Sequence, residues 1–538
     1  MSHQRYSTQR LDHLGIVSGI CKEIDLSGQI DEMIGPTGRK VTVGEATEAM
    51  ILNALGFVGR ALYLSPEFFH NKPVGILIRE GLTAEDLNDD TLGRALDKLY
   101  QRGVTEVFAK VASHALDVYG IKHQFYHIDS TSFSFHGEYE DERYGGIKIT
   151  RGYSREKRPD LKQAVVSLIC TYKSSIPCWF EALDGNSSDK KEFKRIIKRY
   201  IQQLEEGEDP YFIADSALYT KENIEELSQV KWVSRVPESI KEVRDLQERT
   251  EIEEMSPLPQ EGYYYKEEEV EYGGVRQRWI LIYSKKRYDR EVKGLEKKIN
   301  KEREKAEKKV WHLGNREFEG LEDGQREIDQ ICKKLKYHTV RYHFKQVRHY
   351  KRRGRPKEGD EYEIRWKVEG KVEEDEDKIN KELRRKGKFI LATNELDREK
   401  LPAERVLDGY KGQGVSVERG FRFLKDPLFF ADGLFLKNPE RIMAMLMVMG
   451  LALLVYALAE RKLREELKRK GESIPNQVGK PTQSPTMRRV FQMFEGIDIL
   501  EVKRGRRKRR MVVNLRPVHR KIIRLMGKEV EKCYFLEE

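Results

Sequence analysis

The chain has 538 residues, enough for two to four domains. It is 38% hydrophobic and 36% charged, with 101 Lys and Arg against 90 Asp and Glu; its apolar residues are clustered enough to build cores, and the net charge of +11 favours a polyanionic partner, nucleic acid first. A surface laced with ion pairs, as in a heat-adapted host, has the same composition. The five cysteines (Cys21, Cys170, Cys178, Cys332, Cys533) are scattered, odd in number and form no CxxC pair, so neither a disulfide framework nor a thiolate zinc site is suggested. The polar N-terminus lacks a secretory apolar region, and both features point to the cytoplasm.

Residues 1–120 read as helices, over 44–57, 90–100 (Asp89 or Asp90 as N-cap) and 104–119, with Pro66 and Pro73 in the loops between. Over 121–236 strands and helices alternate. Residues 125–135 are aromatic and β-branched, the composition of a buried strand, and carry Asp129. Residues 152–163 form a basic polar loop. Two apolar runs, 164–172 and 176–183, read as a hairpin. Asp189, with Glu192 three residues on, resembles a capping box opening a helix that runs to Leu204. The strand 211–214 then delivers Asp215, and 232–236 is a further strand.

Composition changes at 237. Strands are predicted at 263–266 and 279–283. Residues 289–335 are dominated by Lys, Glu and Arg and read as long exposed helices broken near 314–324, followed by strands at 337–345 and 362–367. Within this region Arg352-Arg-Gly-Arg-Pro-Lys357 has two readings: an AT-hook-like segment placing Arg353 and Arg355 in a narrow minor groove, or a basic turn that uses Gly and Pro for geometry. The strand 388–394 is expected to rejoin the earlier core. Residues 442–459 carry no charge over eighteen positions. They meet the length of a membrane span or form a helix buried on all sides; the charged helical continuation from Glu460 favours the buried helix, and no membrane is expected. Beyond a Pro/Ser/Gln loop and a short helix at 487–494, Lys503-Arg-Gly-Arg-Arg-Lys-Arg-Arg510 is the densest basic run. It either grips phosphates through residues such as Arg506 and Arg507 or is a hairpin turn.

Residues 410–427 form an amphipathic helix with Val417, Phe421 and Leu424 on one side and Glu418, Arg422 and Lys425 on an adjacent stripe. Alone, that stripe is an ordinary solvated ion-pair face. Beside two strand-borne aspartates it gains meaning, because a buried carboxylate is costly unless paired or metal-bound, and oxygen donors suit hard cations such as Mg²⁺. Asp129, Asp215 (86 positions on) and Glu418 (203 further) resemble, in order and setting, the acid triad of the DDE transposases of bacterial insertion sequences. The closer resemblance is to the subgroup with a large insertion before the Glu and a Tyr…Arg…Glu…Lys signature on its helix. Tyr410, Glu418 and Lys425 match that signature. Gln413 stands where the Arg is expected, with Arg419 and Arg422 as alternatives for its role. The loop Tyr153-Ser-Arg155…Arg158-Pro-Asp-Leu-Lys-Gln163 also resembles this family, beside its reading as a solvated basic loop.

The resemblance implies an α/β fold with an RNase H-like catalytic core, a mixed five-stranded sheet flanked by helices, as in retroviral integrases. The expected organisation is a helical N-terminal domain (1–120) that binds or pairs DNA ends or serves only packing, a first core segment (121–236), an α+β insertion domain (237–387), a second core segment (388–470) and a basic C-terminal region (471–538). Asp129, Asp215 and Glu418 would hold Mg²⁺, for which Mn²⁺ substitutes. The metal-dependent reaction would cut the element's ends and transfer them to target DNA. Tyr410, Gln413, Arg419, Arg422, Lys425, Arg353, Arg355, Arg506 and Arg507 would contact double-stranded DNA. The expected form on DNA is a homodimer, in the cytoplasm of a bacterial or archaeal cell. A plain metal-dependent nuclease on the same fold and a catalytically silent, transposase-derived DNA-binding protein are the alternatives.

Overall fold

A computed structural model of the chain describes residues 4–56, 64–122, 124–136, 139, 146–155, 157–204, 208–351, 354–425, 438–504 and 507–536. The chain divides into two compact units, Met1–Ser234 with Tyr272–Val275 and Arg405–Glu538, and Arg235–Glu271 with Arg276–Glu404.

The first unit is built on strands β1 (Gln4–Arg10), β2 (Phe125–Phe135), β3 (Lys162–Thr171), β4 (Pro177–Leu183), β5 (Tyr211–Ala214) and β6 (Trp232–Arg235). Five of them lie in the order β4-β3-β2-β5-β6. The pairings β2–β3 and β3–β4 are antiparallel, while β5 runs parallel to β2 and β6 parallel to β5. Three antiparallel strands followed by two parallel crossovers are the order and polarity of an RNase H-like core. β3 and β4 are buried at almost every position, so they read as unbroken apolar runs rather than alternating ones. Helix Asp189–Ile201 follows β4 and turns Phe193, Ile196, Ile197 and Tyr200 inward at helical spacing. Tyr200 meets Tyr126 and Phe212 edge-on, which fixes that helix to one face of the sheet.

Helix Pro439–Arg469 is long and apolar enough to cross a membrane, yet 83% of its most apolar window is buried inside the protein. The cover comes from β4, from helices Leu14–Glu23, Val43–Ala54, Asp89–Arg102 and Val104–Val118, and from the C-terminal helix Pro517–Met526. A helix packed from all sides needs no polar face, which accounts for the charge-free run. At its start Arg441 makes a bidentate pair with Asp97 at 2.7 and 2.8 Å.

In the second unit β12 (Lys388–Thr393), β9 (Val275–Ser284), β8 (Tyr263–Tyr272) and β7 (Ser256–Pro257) lie in that order, and β10 (His338–Tyr350) and β11 (Tyr362–Glu374) make a two-stranded ribbon. The strand read at 388–394 is observed over Lys388–Thr393 and pairs antiparallel with β9 from Lys388↔Tyr283 to Thr393↔Arg278. Helices Lys285–Gly314 and Leu321–Cys332 break where predicted and close a small core of Val310, Leu313, Phe318, Ile328, Val340 and Val368.

β13 (Ile474–Pro475) and β14 (Pro481–Thr482) form a short bridge. The basic run is a hairpin, β15 (Asp498–Arg504) with β16 (Arg507–Val513), and β15 also pairs with β1, a strand in a stretch that reads as helical from sequence.

Candidate active site

The two strand-borne aspartates are brought level by the register of a parallel pair. β2 and β5 align Phe125 with Tyr211, Tyr126 with Phe212 and His127 with Ile213. Two residues beyond the last pair stand Asp129 and Asp215. Side chains two apart on a strand share a face, so both carboxylates lie on the face that carries His127 and Ile213. The Asp215 carboxylate accepts from the Ala217 amide at 2.8 Å, and its carbonyl accepts from Ser234 Oγ at 2.9 Å. Asp129 accepts from the Ser130 amide at 2.7 Å.

The same face carries the helix Ala403–Leu424, which holds Glu418. Two glycines let it approach. A Cβ on Gly409 would stand 2.9 Å from Ile213 Cδ1, and one on Gly412 would stand 2.5 Å from the Tyr172 ring and 3.2 Å from His127. His127 Nε2 donates to the Gly409 carbonyl at 2.8 Å, and burial pushes this imidazole down to about 4, so it is neutral. Further along, Gln413 Nε2 donates to the Ile128 carbonyl at 3.4 Å, and Lys425 Nζ lies 5.6 Å from the Phe133 ring centre. From Gln413 to Lys425 is about 18 Å of helix, and from Ile128 to Phe133 about 17 Å of strand. The helix therefore runs alongside the Asp129 stretch of β2, and Glu418 falls between the two contacts, with its side chain exposed.

Two residues that sequence reasoning missed complete the site. The capping box expected of Asp189 and Glu192 does not form: Ser188 is the N-cap, and Glu192 pairs with Arg195 at 2.8 Å. Asp189 turns instead to β2, where it accepts from Ser130 Oγ, and to Arg155, with which it is ion-paired. Arg155 comes from the loop that reads as solvated and basic. Its backbone amide donates to Ser132 Oγ at 3.2 Å, one guanidinium nitrogen lies 3.3 Å from Asp129, and the other donates to Ser130 Oγ at 3.0 Å. No local signal marks Asp189; Arg155 stands in the Tyr153-Ser-Arg…Arg-Pro-Asp-Leu-Lys-Gln163 stretch, which resembles the family's, but nothing in that stretch shows that the arginine reaches Asp129.

Burial pushes the Asp129 carboxyl up to about 7; Arg155 and the Ser130 amide pull it down, while Asp215 and Asp189 push it further up. Burial also raises Asp215. Two acids on one face, with a guanidinium drawn onto one of them, make a place that favours a cation. Among the described residues no three His, Cys, Asp or Glu side chains converge closely enough to enclose a metal alone. The oxygen donors of Asp129 and Asp215, with Glu418 on the helix laid over the same face, fit a hard divalent ion that keeps ligands from water or substrate.

A family model described as "Transposase DDE domain" matches residues 121–455. The chain belongs to the DDE transposase family. Residues 6–113 of this transposase match a second model, described as a domain of unknown function (DUF4277). A search of curated proteins finds no match. Among solved structures the chain is similar to piggyBac transposase in a cryo-EM synaptic complex with hairpin DNA, at 9% identity and a TM-score of 0.38, over 91% of this chain and 82% of that one.

The residues expected at DNA divide by position. Arg422 is exposed, Tyr410 is half-buried, and Arg419 is ion-paired with Glu460 at 2.6 Å. Gln413 is buried against β2 and reaches its backbone, so it offers no surface to DNA in this arrangement. Arg355 is exposed in the turn of the β10–β11 ribbon, whose last pair is Tyr350↔Tyr362. Arg353 and Arg506 lie outside the described residues, and Arg507 opens β16.

Proposed function

We propose that this transposase performs divalent-metal-dependent cleavage at the ends of an insertion sequence and joins the freed 3′-hydroxyls to target DNA. The observation that carries the reading is the register that sets Asp129 level with Asp215 on the face beneath the Glu418 helix. Asp129, Asp215 and Glu418 would hold Mg²⁺ or Mn²⁺. When bound, such ions stabilise the attacking and leaving oxygens of an in-line phosphoryl transfer.

The chain's own residues supply the rest. Asp129 and Asp215, fixed by strand pairing and by amide donors, form a rigid half-site. Glu418, exposed on its helix, is free to complete it against the substrate. Arg422, exposed on the same helix, and Lys425, just past its end, would serve as fork and point donors for phosphate oxygens. Both transfers use the same acids with water or a DNA hydroxyl as nucleophile, so no Ser or Tyr nucleophile is required. Double-stranded DNA is the partner, and a homodimer would hold two ends together, in the cytoplasm of a bacterial or archaeal host.

The test uses labelled DNA from both sides of the coding region, incubated with the full chain and Mg²⁺. Cleavage at one defined position, followed by joined product and lost in Glu418→Ala, is expected. Cutting at many positions with no joined product would move the assignment to a nuclease. Defined cleavage retained in the variant would remove Glu418 from the site.

A further inference from the structure

The basic loop 152–163 has no role in the proposed function, yet its Arg155 is drawn onto Asp129 of the acid pair. Its guanidinium spans Asp129 at 3.3 Å and Ser130 Oγ at 3.0 Å and is ion-paired with Asp189. Ser130 Oγ also donates to Asp189, so the guanidinium, the hydroxyl and the second carboxylate close a ring of contacts beside Asp129. The backbone amide of Arg155 is tied to Ser132 Oγ on the same strand. Arg155 and Asp129 are 31% and 18% exposed, so the contact is open to solvent on one side.

We propose that Arg155 is the resident cation of the acid site: it lies against Asp129 in the metal-free protein, a divalent ion binding there displaces it, and Asp189 with Ser130 keeps it within reach as a further DNA-facing residue. This deepens the proposed function and rests on the acid pair being the cation site.

The physical case has three steps. A carboxylate held on a sheet beside a second carboxylate disfavours its own ionised form unless a positive charge is near. Arg155 supplies that charge at the cost of occupying part of the coordination space. A hard cation bonded to Asp129 brings two positive charges to an oxygen 3.3 Å from a guanidinium nitrogen, so the two cations compete, and by linkage each weakens the other's hold on Asp129. Asp189 provides the place to which the guanidinium retreats. A fork donor released beside a phosphoryl-transfer site is suited to bidentate contact with a phosphate.

Mn²⁺ binding to the full-length chain without DNA tests the exchange by titration calorimetry. Arg155→Gln is expected to bind Mn²⁺ roughly two- to fivefold more tightly than the unmodified chain, the size of one partly exposed ion pair removed from competition. Asp129→Asn is expected to abolish this binding in both backgrounds. Equal or weaker binding by Arg155→Gln, with both chains losing it on Asp129→Asn, would overturn the exchange and leave the acid site standing. Binding untouched by Asp129→Asn would overturn the site reading and the exchange with it. A second measurement needs no variant. Arginine-selective modification of the unmodified chain, located by mass spectrometry, should label Arg155 several-fold faster with Mn²⁺ than with chelator. Equal labelling would overturn its release. A purely structural Arg155 would change stability without moving either readout.

Discussion

Burial holds the Asp129 carboxyl near 7 even though a guanidinium lies 3.3 Å away. The folded state therefore keeps a proton there that the unfolded chain loses in the ordinary carboxylate range near 4. Between those values the folded form binds more protons, so this group's contribution to stability falls as pH rises from about 4 to about 7 and is flat above. His13 and His127, both pushed down to about 4 by burial, work oppositely between about 4 and 6.5, so the wild-type profile alone mixes the two. The difference between Asp129→Asn and wild type isolates the acid. In chelator, the variant is expected to gain on wild type by on the order of a few kcal/mol between pH 4.5 and 8, read as urea midpoints; a pH-independent difference would show that Asp129 titrates normally. Gly412 offers a packing counterpart. With a Cβ 2.5 Å from the Tyr172 ring, Gly412→Ala should cost about 1–3 kcal/mol and reduce cleavage, because the Glu418 helix would have to lift from β2. An unchanged midpoint would mean that the ring yields. Asp129 and Asp215 were legible because an acid inside an apolar strand is anomalous in its own neighbourhood. The roles of Arg155 and Asp189 were not: the loop of Arg155 resembles the family's, but an Arg in a polar loop and an Asp in a helix's first turn are ordinary, and only the fold aims them at Ser130.

At the scale of elements, sequence pattern located β2 at the residues observed and came within a few residues for β3, β4, β6 and the Lys285–Gly314 helix, because each carries its own period or a continuous apolar run. β1 was missed: its residues, Gln-Arg-Tyr-Ser-Thr-Gln-Arg, are polar, and its strand character comes from pairing with β15, nearly 500 positions away. The clearest energetic joint between elements is Glu460, an acid in the buried helix Pro439–Arg469. It is 7% exposed, accepts from Arg419 of the Glu418 helix at 2.6 Å and from the Met487 amide at 3.0 Å, and pairs with Arg464 at 2.9 Å. Removing one partner of a buried ionic cluster leaves the others uncompensated and typically costs about 3–5 kcal/mol. Glu460→Ala should therefore lower the denaturation midpoint sharply and impair cleavage through Arg419, while Glu460→Gln, which still accepts from the Met487 amide, should lose less. Equal losses would show that the amide contact carries no weight.

Over the whole molecule, the charge-free run of Pro439–Arg469 was legible as buried, but what covers it was not, because the cover is gathered from both ends of the chain. Leu14–Glu23 meets Lys528–Tyr534 so closely that a Cβ on Gly15 would stand 2.6 Å from Tyr534 and one on Gly19 2.5 Å from Val530. The same meeting of ends sets the β15–β16 hairpin beside β1. Burial works to raise Glu501 on this hairpin, but hydrogen bonds from Lys508, Arg510 and Lys503 hold it down at about 2, so one carboxylate orders three cations without cancelling them. If the net charge of +11 serves DNA binding through such surfaces, affinity must fall linearly on a log–log plot against salt, with a slope of about 0.9 per phosphate neutralised. Lys508→Gln with Arg509→Gln should then weaken binding to any duplex similarly and reduce that slope by about 2, without altering where the DNA is cut. Fluorescence anisotropy across a salt series checks both. A slope unchanged by the double variant would take the hairpin away from the DNA and leave its cations to the service of Glu501, with the phosphate contacts carried by the Glu418 helix and the ribbon turn at Arg355.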